Sequence, residues 1–229
     1  MAFLRSTLFA LLFYIGSVPI VGLGALLTLV WRPAARLTGK AWSNWFRLLA
    51  THVVGIRIVV RGEIPNRPVI VAAKHQSAFE TMLVLGLFDF PAVVLKAELM
   101  KIPAWGAIAR RHGAIPVDRE ASTAAMRAML RAAEAGIAEG RPVFIFPEGS
   151  RIPVGEAPPL KPGVAGLYKM LKLPVIPLAL DTGRLWPKHG WTKFPGTVTL
   201  AFGEEIPAGL PRGEAETRIH AAINRDPTA

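Results

Sequence analysis

The sequence predicts an α/β fold: a mostly parallel sheet flanked by helices, preceded by an N-terminal hydrophobic membrane segment. Three observations carry that expectation. Short apolar runs rich in Val and Ile alternate along the chain with longer stretches of helical periodicity, which is how strand–helix units read. Three of these runs end in polar or basic clusters, as strands do at the carboxyl edge of a parallel sheet. No charged residue occurs from Thr7 to Val30, a run long enough to cross a bilayer core.

Taken in order, the amino end comes first. Gly16, Ser17 and Pro19 interrupt the uncharged run, so it reads either as one spanning helix or as two short helices dipping into one leaflet. A cleavable secretory signal is disfavoured, because the run is too long and no small-residue cleavage site closes it. Arg32, Arg36, Lys40 and Arg47 follow the run and only Arg5 precedes it. By the positive-inside rule the body of the protein then lies on the cytoplasmic side of a bacterial-type inner (plasma) membrane. Ala41 to Val54 has Trp42, Trp45, Phe46, Leu49 and Val53 at helical spacing, an amphipathic helix. Together with Trp31, its tryptophans suit either the headgroup layer or the protein's own core. Residues 1–54 thus form a membrane-associated helical segment and residues 55–229 one α/β domain, long enough to bury a full core.

The domain opens with Ile56 to Arg61, alternately apolar and basic, as a half-exposed or edge strand is. Val69 to Ala73 is a buried strand that runs into Lys74-His75, and an apolar helix follows to about Phe88. Ala92 to Lys96 is another strand, and Trp105 to His112 a short helix. Ala114 to Val117 ends in Asp118-Arg119. Ser122 to Glu139 is an amphipathic helix with Met126, Met129, Leu130 and Ile137 on its inner side, closed by Gly140. Val143 to Phe146 ends in Pro147-Glu148-Gly149-Ser150-Arg151, and a Pro/Gly-rich loop then leads to a helix through Met170. Val175 to Leu180 and Thr197 to Phe202 are the remaining strands, with Pro177 read as shaping a loop edge or strand end. Gly213 to Asn224 is the last helix, and no internal repeat is present.

Composition narrows the function. The chain has no cysteine, which removes disulfides, zinc–thiolate sites and cysteine nucleophiles together. A formal net charge of +11 beside 52% hydrophobic residues points to an anionic membrane surface more than to nucleic acid. No zinc-finger spacing, RNA-binding signature or basic helical run supports a nucleic-acid partner.

His75 is the focus of the chemistry. A neutral imidazole takes a proton near pH 7, and a nearby carboxylate orients the ring and steadies the imidazolium. Glu80 is the one carboxylate close in sequence. Within a helix, residues five apart point about 140° away from each other. If the helix starts only after His75, Glu80 in its first turn reaches back to the ring. Ser77-Ala78-Phe79-Glu80 is also a capping box, which accounts for Glu80 without chemistry. If the strands share a sheet, the clusters at Lys74-His75, Asp118-Arg119 and Glu148 to Arg151, with Lys96, converge on one edge. That arrangement suits proton abstraction from a hydroxyl on a phosphate-bearing substrate. A serine hydrolase using Ser77 or Ser150 is disfavoured, since neither lies in a Gly-x-Ser-x-Gly elbow.

Four motifs, His75-Gln-Ser-Ala-Phe-Glu80, Gly113 to Arg119, Phe146-Pro-Glu-Gly-Ser-Arg151 and Val175-Ile-Pro177, occur in order. In this the chain resembles the glycerolipid acyltransferases, specifically those acting on 1-acyl-sn-glycerol-3-phosphate (lysophosphatidic acid). The resemblance covers roughly Val69 to Leu180. It departs where the family normally has Asp and this chain has Glu80, and in Pro116-Val117. The resemblance implies acyl transfer from acyl-CoA or acyl-acyl carrier protein to the free hydroxyl of a lysophospholipid, giving phosphatidic acid. Lyso-ornithine lipid is the alternative acceptor, and membrane lipids are the surroundings. It implies His75 as general base and Glu80 as its orienting carboxylate. Arg119, Glu148, Gly149, Ser150 and Arg151 would bind the phosphate head, and Lys96 and Lys161 the phosphate or the carrier's acidic surface. The oxyanion would be met by backbone N–H groups of the His75–Ser77 turn or by a cation. No cofactor and no metal are expected.

Overall fold

The computed structural model describes residues 1–117 and 123–229. Seven strands form one sheet: β1 (Ile56–Arg61), β2 (Ile70–Ala73), β3 (Ala92–Lys96), β4 (Ile115–Val117), β5 (Val143–Ile145), β6 (Val175–Leu180) and β7 (Gly196–Phe202). Their order is β1-β7-β6-β2-β5-β3-β4. The block β6-β2-β5-β3-β4 is parallel, whereas β7 runs antiparallel to β6 and β1 parallel to β7. β1 is an edge strand, as its alternation predicted.

β2 is buried along its whole length, so it is apolar at every position and its side chains divide by parity. Val69, Val71 and Ala73 face the layer that holds α1 (Ala2–Val30), α2 (Ala34–Leu49) and α3 (Phe79–Leu87). Ile70 and Ala72 face α5 (Thr123–Ala138), α6 (Pro162–Leu171) and α7 (Arg212–Ile223) on the other side. α4 (Trp105–His112) packs near α1 and α2. From β2 the chain moves outward to β3 and β4, then returns through β5 to β6 on the opposite flank of β2. The carboxyl end of β2 is therefore the switch point where open α/β sheets bind ligands.

α1 is a single helix through Gly16, Ser17 and Pro19, so the interruption read in the sequence does not break it. Gly16 and Ser17 serve contact with α2, whereas Pro19 is exposed. A Cβ on Gly16 would lie 2.4 Å from Trp45 Nε1 and one on Gly24 2.3 Å from Thr38, so the glycines allow the helices to approach. Ser17 Oγ accepts a bond from Trp42 Nε1 at 2.9 Å. The amphipathic helix starts earlier than its aromatic spacing suggested, at Ala34. It ends in a π-helical turn, Ala50–Val54, closed by Gly55 at φ 89°. Trp42 and Trp45 pack on the core, and Trp31 is half exposed. Phe9, Phe13 and Phe46 share one core with Val71, Phe79 and Leu178, continuous across residues 54 and 55.

Pro177 lies inside β6, a central strand, and not at a strand end or loop edge. The sheet tolerates it because the β7 ladder is interrupted there. Pairing runs from Leu178–Phe202 to Leu180–Leu200 and resumes only at a Val175–Ile206 bridge. Gly203 N–H bonds to the Pro177 carbonyl, and the missing proline N–H falls in the gap.

Candidate active site

His75 follows β2 and shares the parity of Val71 and Ala73. Its ring stacks on Phe146, 4.1 Å between centroids, at the end of β5. α3 begins only at Phe79, so the five-residue spacing is spanned by a turn and Nδ1 of His75 lies 2.8 Å from Glu80 Oε1. Glu80 also closes the local turn. Its Oε1 accepts the N–H groups of Gln76 and Ser77, both at 2.7 Å, and its Oε2 accepts the Ser77 hydroxyl at 3.0 Å. Glu80 thus bonds back to the Ser77 N–H and also lies against the His75 ring, while Ala78, not Ser77, is the N-cap and Ser77 Oγ accepts the Phe79 N–H at 2.9 Å. A second donor, Thr182 Oγ1, reaches Oε2 at 2.6 Å from the turn after β6.

Burial pushes the Glu80 carboxyl up. The bond to His75, the imidazole's charge, and the bonds from Thr182 and Ser77 outweigh it, and the net shift is downward. Glu80 is thus a carboxylate, which only accepts hydrogen bonds. In the neutral imidazole, the hydrogen then sits on Nδ1 of His75 and Nε2 keeps its lone pair.

The backbone of His75 is held on both sides. Its N–H donates to Glu148 Oε2 at 2.9 Å, and its carbonyl accepts from Ile152 N–H at 2.7 Å. Glu148 Oε1 pairs with Lys74 Nζ at 2.6 Å, and Lys74 also donates to Asn224 Oδ1 and to the Glu156 carbonyl. The Glu148 side chain has 0% exposure, so its carboxylate is occupied in fixing β2's carboxyl end.

An apolar cavity of about 1060 Å³ opens beside the ring. Gly149, Ser150, Lys161 and Lys96 line it together with His75. Gly149 takes φ 69°, and a Cβ there would crowd Lys161 Cγ at 3.0 Å. Ser150 has no hydrogen-bond partner among the described residues. Lys161 is exposed, and Lys96 is exposed and paired with Glu98 at 2.9 Å. Tyr14 and Val21 of α1, Thr38 of α2 and His112 of α4 also line the cavity. Arg151 is outside this lining and reaches the Lys188 carbonyl at 3.5 Å. Arg119 lies outside the described residues. Ser77 is fully buried with its hydroxyl bonded to Glu80 and Phe79 N–H, which removes it as a nucleophile.

One expectation is corrected by this geometry. The N–H groups of His75, Gln76 and Ser77 all donate to carboxylates, so the turn has none left for an oxyanion. Sequence reasoning missed Thr182, Asn224 and Ile152. They sit in unrelated stretches, and no motif ties them to His75.

A family model for acyltransferases matches residues 56–181. The 1-acyl-sn-glycerol-3-phosphate acyltransferase of Pseudomonas aeruginosa is 36% identical over 199 residues, 86% of this chain and 76% of that protein. The crystal structure of the 1-acyl-sn-glycerophosphate acyltransferase PlsC from Thermotoga maritima superposes with a TM-score of 0.75. It is 26% identical, and the match covers 98% of this chain and 95% of that one.

Proposed function

This chain belongs to the glycerolipid acyltransferase family, and on that premise we propose that it acylates lysophosphatidic acid to phosphatidic acid. The donor is a fatty acyl thioester, acyl-CoA or acyl-acyl carrier protein. The observation that carries the reading is the His75–Glu80 pair, 2.8 Å apart, with the ring at the wall of an apolar cavity and no hydrogen-bond partner for Nε2 among the described residues.

The reaction is direct transfer. Nε2 of His75 takes the proton from the free glycerol hydroxyl as that oxygen attacks the thioester carbonyl, and Glu80 steadies the imidazolium. The tetrahedral adduct collapses, the carbon–sulfur bond breaks, and the departing thiolate recovers the proton from His75. No acyl-enzyme forms, consistent with the absence of cysteine and the burial of Ser77. With the turn's N–H groups taken, the oxyanion is met by Lys161 or by the unengaged Ser150 N–H, both in the cavity lining. Gly149 and Ser150 receive the phosphate with Arg119, Arg151 and Lys96, and Glu148 contributes by holding Lys74 and His75 in place.

Residues 1–54 make the membrane-facing part of this enzyme. Ser6 and Phe9 bury one end of α1 against the domain at Lys193 and Trp186, and Gly24 packs on Thr38 of α2, while Leu4, Val18, Leu26 and Val30 are exposed. A helix packed on α2 and anchored at one end to the folded domain lies in one leaflet more readily than across two. The catalytic edge then faces the cytoplasmic surface of the inner membrane, where lysolipid arrives laterally and a soluble thioester from the other side.

The test is transfer by purified protein in vesicles, with lysophosphatidic acid and lyso-ornithine lipid each offered against both thioesters. Thiol release matched by phosphatidic acid supports the reading, and release only with another acceptor reassigns the substrate. Binding of lysolipid without turnover on any donor defeats it.

A further inference from the structure

The bond from Thr182 to Glu80 stands apart from the others the carboxylate accepts. Those from His75, Gln76 and Ser77 come from the same turn, whereas Thr182 reaches across 102 residues of sequence. Thr182 is fully buried, and among the described residues its hydroxyl makes one hydrogen bond, to Glu80 Oε2. The surroundings fix it from two sides. On the sheet side, Asp181 Oδ1 accepts Thr199 N–H of β7 at 2.7 Å. On the site side, Gly183 N–H donates to Gln76 Oε1 at 3.0 Å. A Cβ on Gly183 would come within 2.9 Å of both Gln76 Cβ and Val154, so only glycine lets this turn press so closely on residues 75–77.

We propose that Thr182 is a positioning residue for the transfer reaction, holding Glu80 Oε2 so that Oε1 faces Nδ1 of His75. The inference rests on His75 being the base. A glutamate carboxylate rotates broadly about its last side-chain bond, and its position is set by what anchors both oxygens. Oε1 gathers three donors from one turn; Oε2 has Ser77 Oγ, which moves with that turn, and Thr182, which does not. Thr182 thus registers the pair against the sheet. Without it the carboxylate and ring shift together, and Nε2 loses its aim at the acceptor hydroxyl. Displacement at this scale weakens the chemical step while leaving substrate binding intact.

The test uses the full-length protein in vesicles with T182V, which keeps the shape and removes the hydroxyl, and T182S, which keeps the hydroxyl. T182V is expected to lose on the order of 10- to 100-fold in kcat with little change in KM for either substrate. T182S is expected to retain kcat within about threefold of the wild type. T182V at wild-type kcat, even with a lowered melting temperature, overturns the proposal by making Thr182 merely structural. Equal losses in T182V and T182S overturn it as well, since packing and not the bond would be responsible. Should T182V fail to fold, T182A supplies the hydroxyl-free arm. An active wild type with an indifferent T182V sinks this inference alone, while a wild type inactive on every acceptor sinks it together with the transferase reading.

Discussion

Lys74→Met probes how His75 is held. The Lys74 ammonium is 3% exposed and gives its three hydrogens to Glu148 Oε1, Asn224 Oδ1 and the Glu156 carbonyl, at 2.6, 2.6 and 2.8 Å. Methionine keeps the stem and deletes the charge. The Glu148 carboxylate is then left in a site with no solvent, countered only by the His75 N–H. Breaking a buried pair from one side costs about 3–5 kcal/mol. In a chain of this size, that lowers the melting midpoint by roughly 6–20 °C. The double variant Lys74→Met/Glu148→Gln removes the stranded charge, and its amide carbonyl still accepts the His75 N–H. It should recover most of the loss. Calorimetry in detergent micelles reads both. A single variant within about 1 kcal/mol of the wild type, or a double variant no better than the single, refutes the reasoning.

Three further outcomes follow from the same structure. Glu80 has a lowered pKa in the fold, so it binds fewer protons there than in the unfolded chain. The stability it contributes is present above its ordinary 4.5 and is lost as pH falls below that value, a loss that Glu80→Gln should flatten in pH-dependent unfolding. Burial, then the charges of Arg141 and Arg36, lower His112 from 6.5 to about 4. The unfolded state therefore takes up its proton first, and stability falls by about 3 kcal/mol as pH drops from 6.5 to 4; His112→Met should remove that component. Gly24→Leu puts a side chain where Thr38 is 2.3 Å from the Cβ position, and should cost about 1–3 kcal/mol and impair transfer, because α1 walls the cavity. Gly22→Ala, with open space around it, is the control and should be neutral or slightly stabilising on thermal unfolding.

Local chemistry was legible in the sequence, and distant partnership was not. The His75–Glu80 contact followed from asking where a helix must start for residues five apart to meet, and α3 begins where that argument required. The polar ends of β2 and β5 meet on one sheet edge as their runs predict, because buried parallel strands are apolar throughout and leave polarity to their ends, while Asp118-Arg119 lies outside the described residues. Gly16 reads as a breaker, since sequence shows its helix-disfavouring chemistry and not the α2 surface it fits. Glu148 is pointed at the ligand by the resemblance of the Phe146 to Arg151 motif to the acyltransferases. Its pairing with Lys74 depends on β5 lying beside β2, which no local pattern states. Thr182 carries no signal at all in one dimension. The turn's N–H groups looked available until Glu80 and Glu148 were seen to take them.

The most direct test of the account is the rate of acyl transfer to lysophosphatidic acid by His75→Ala, measured as thiol release in vesicles, with the fold checked by circular dichroism. Loss of the general base should lower kcat by about 10²- to 10⁴-fold in a protein that remains folded and still binds the lysolipid. Transfer at the wild-type rate would contradict the claim that this imidazole takes the acceptor's proton.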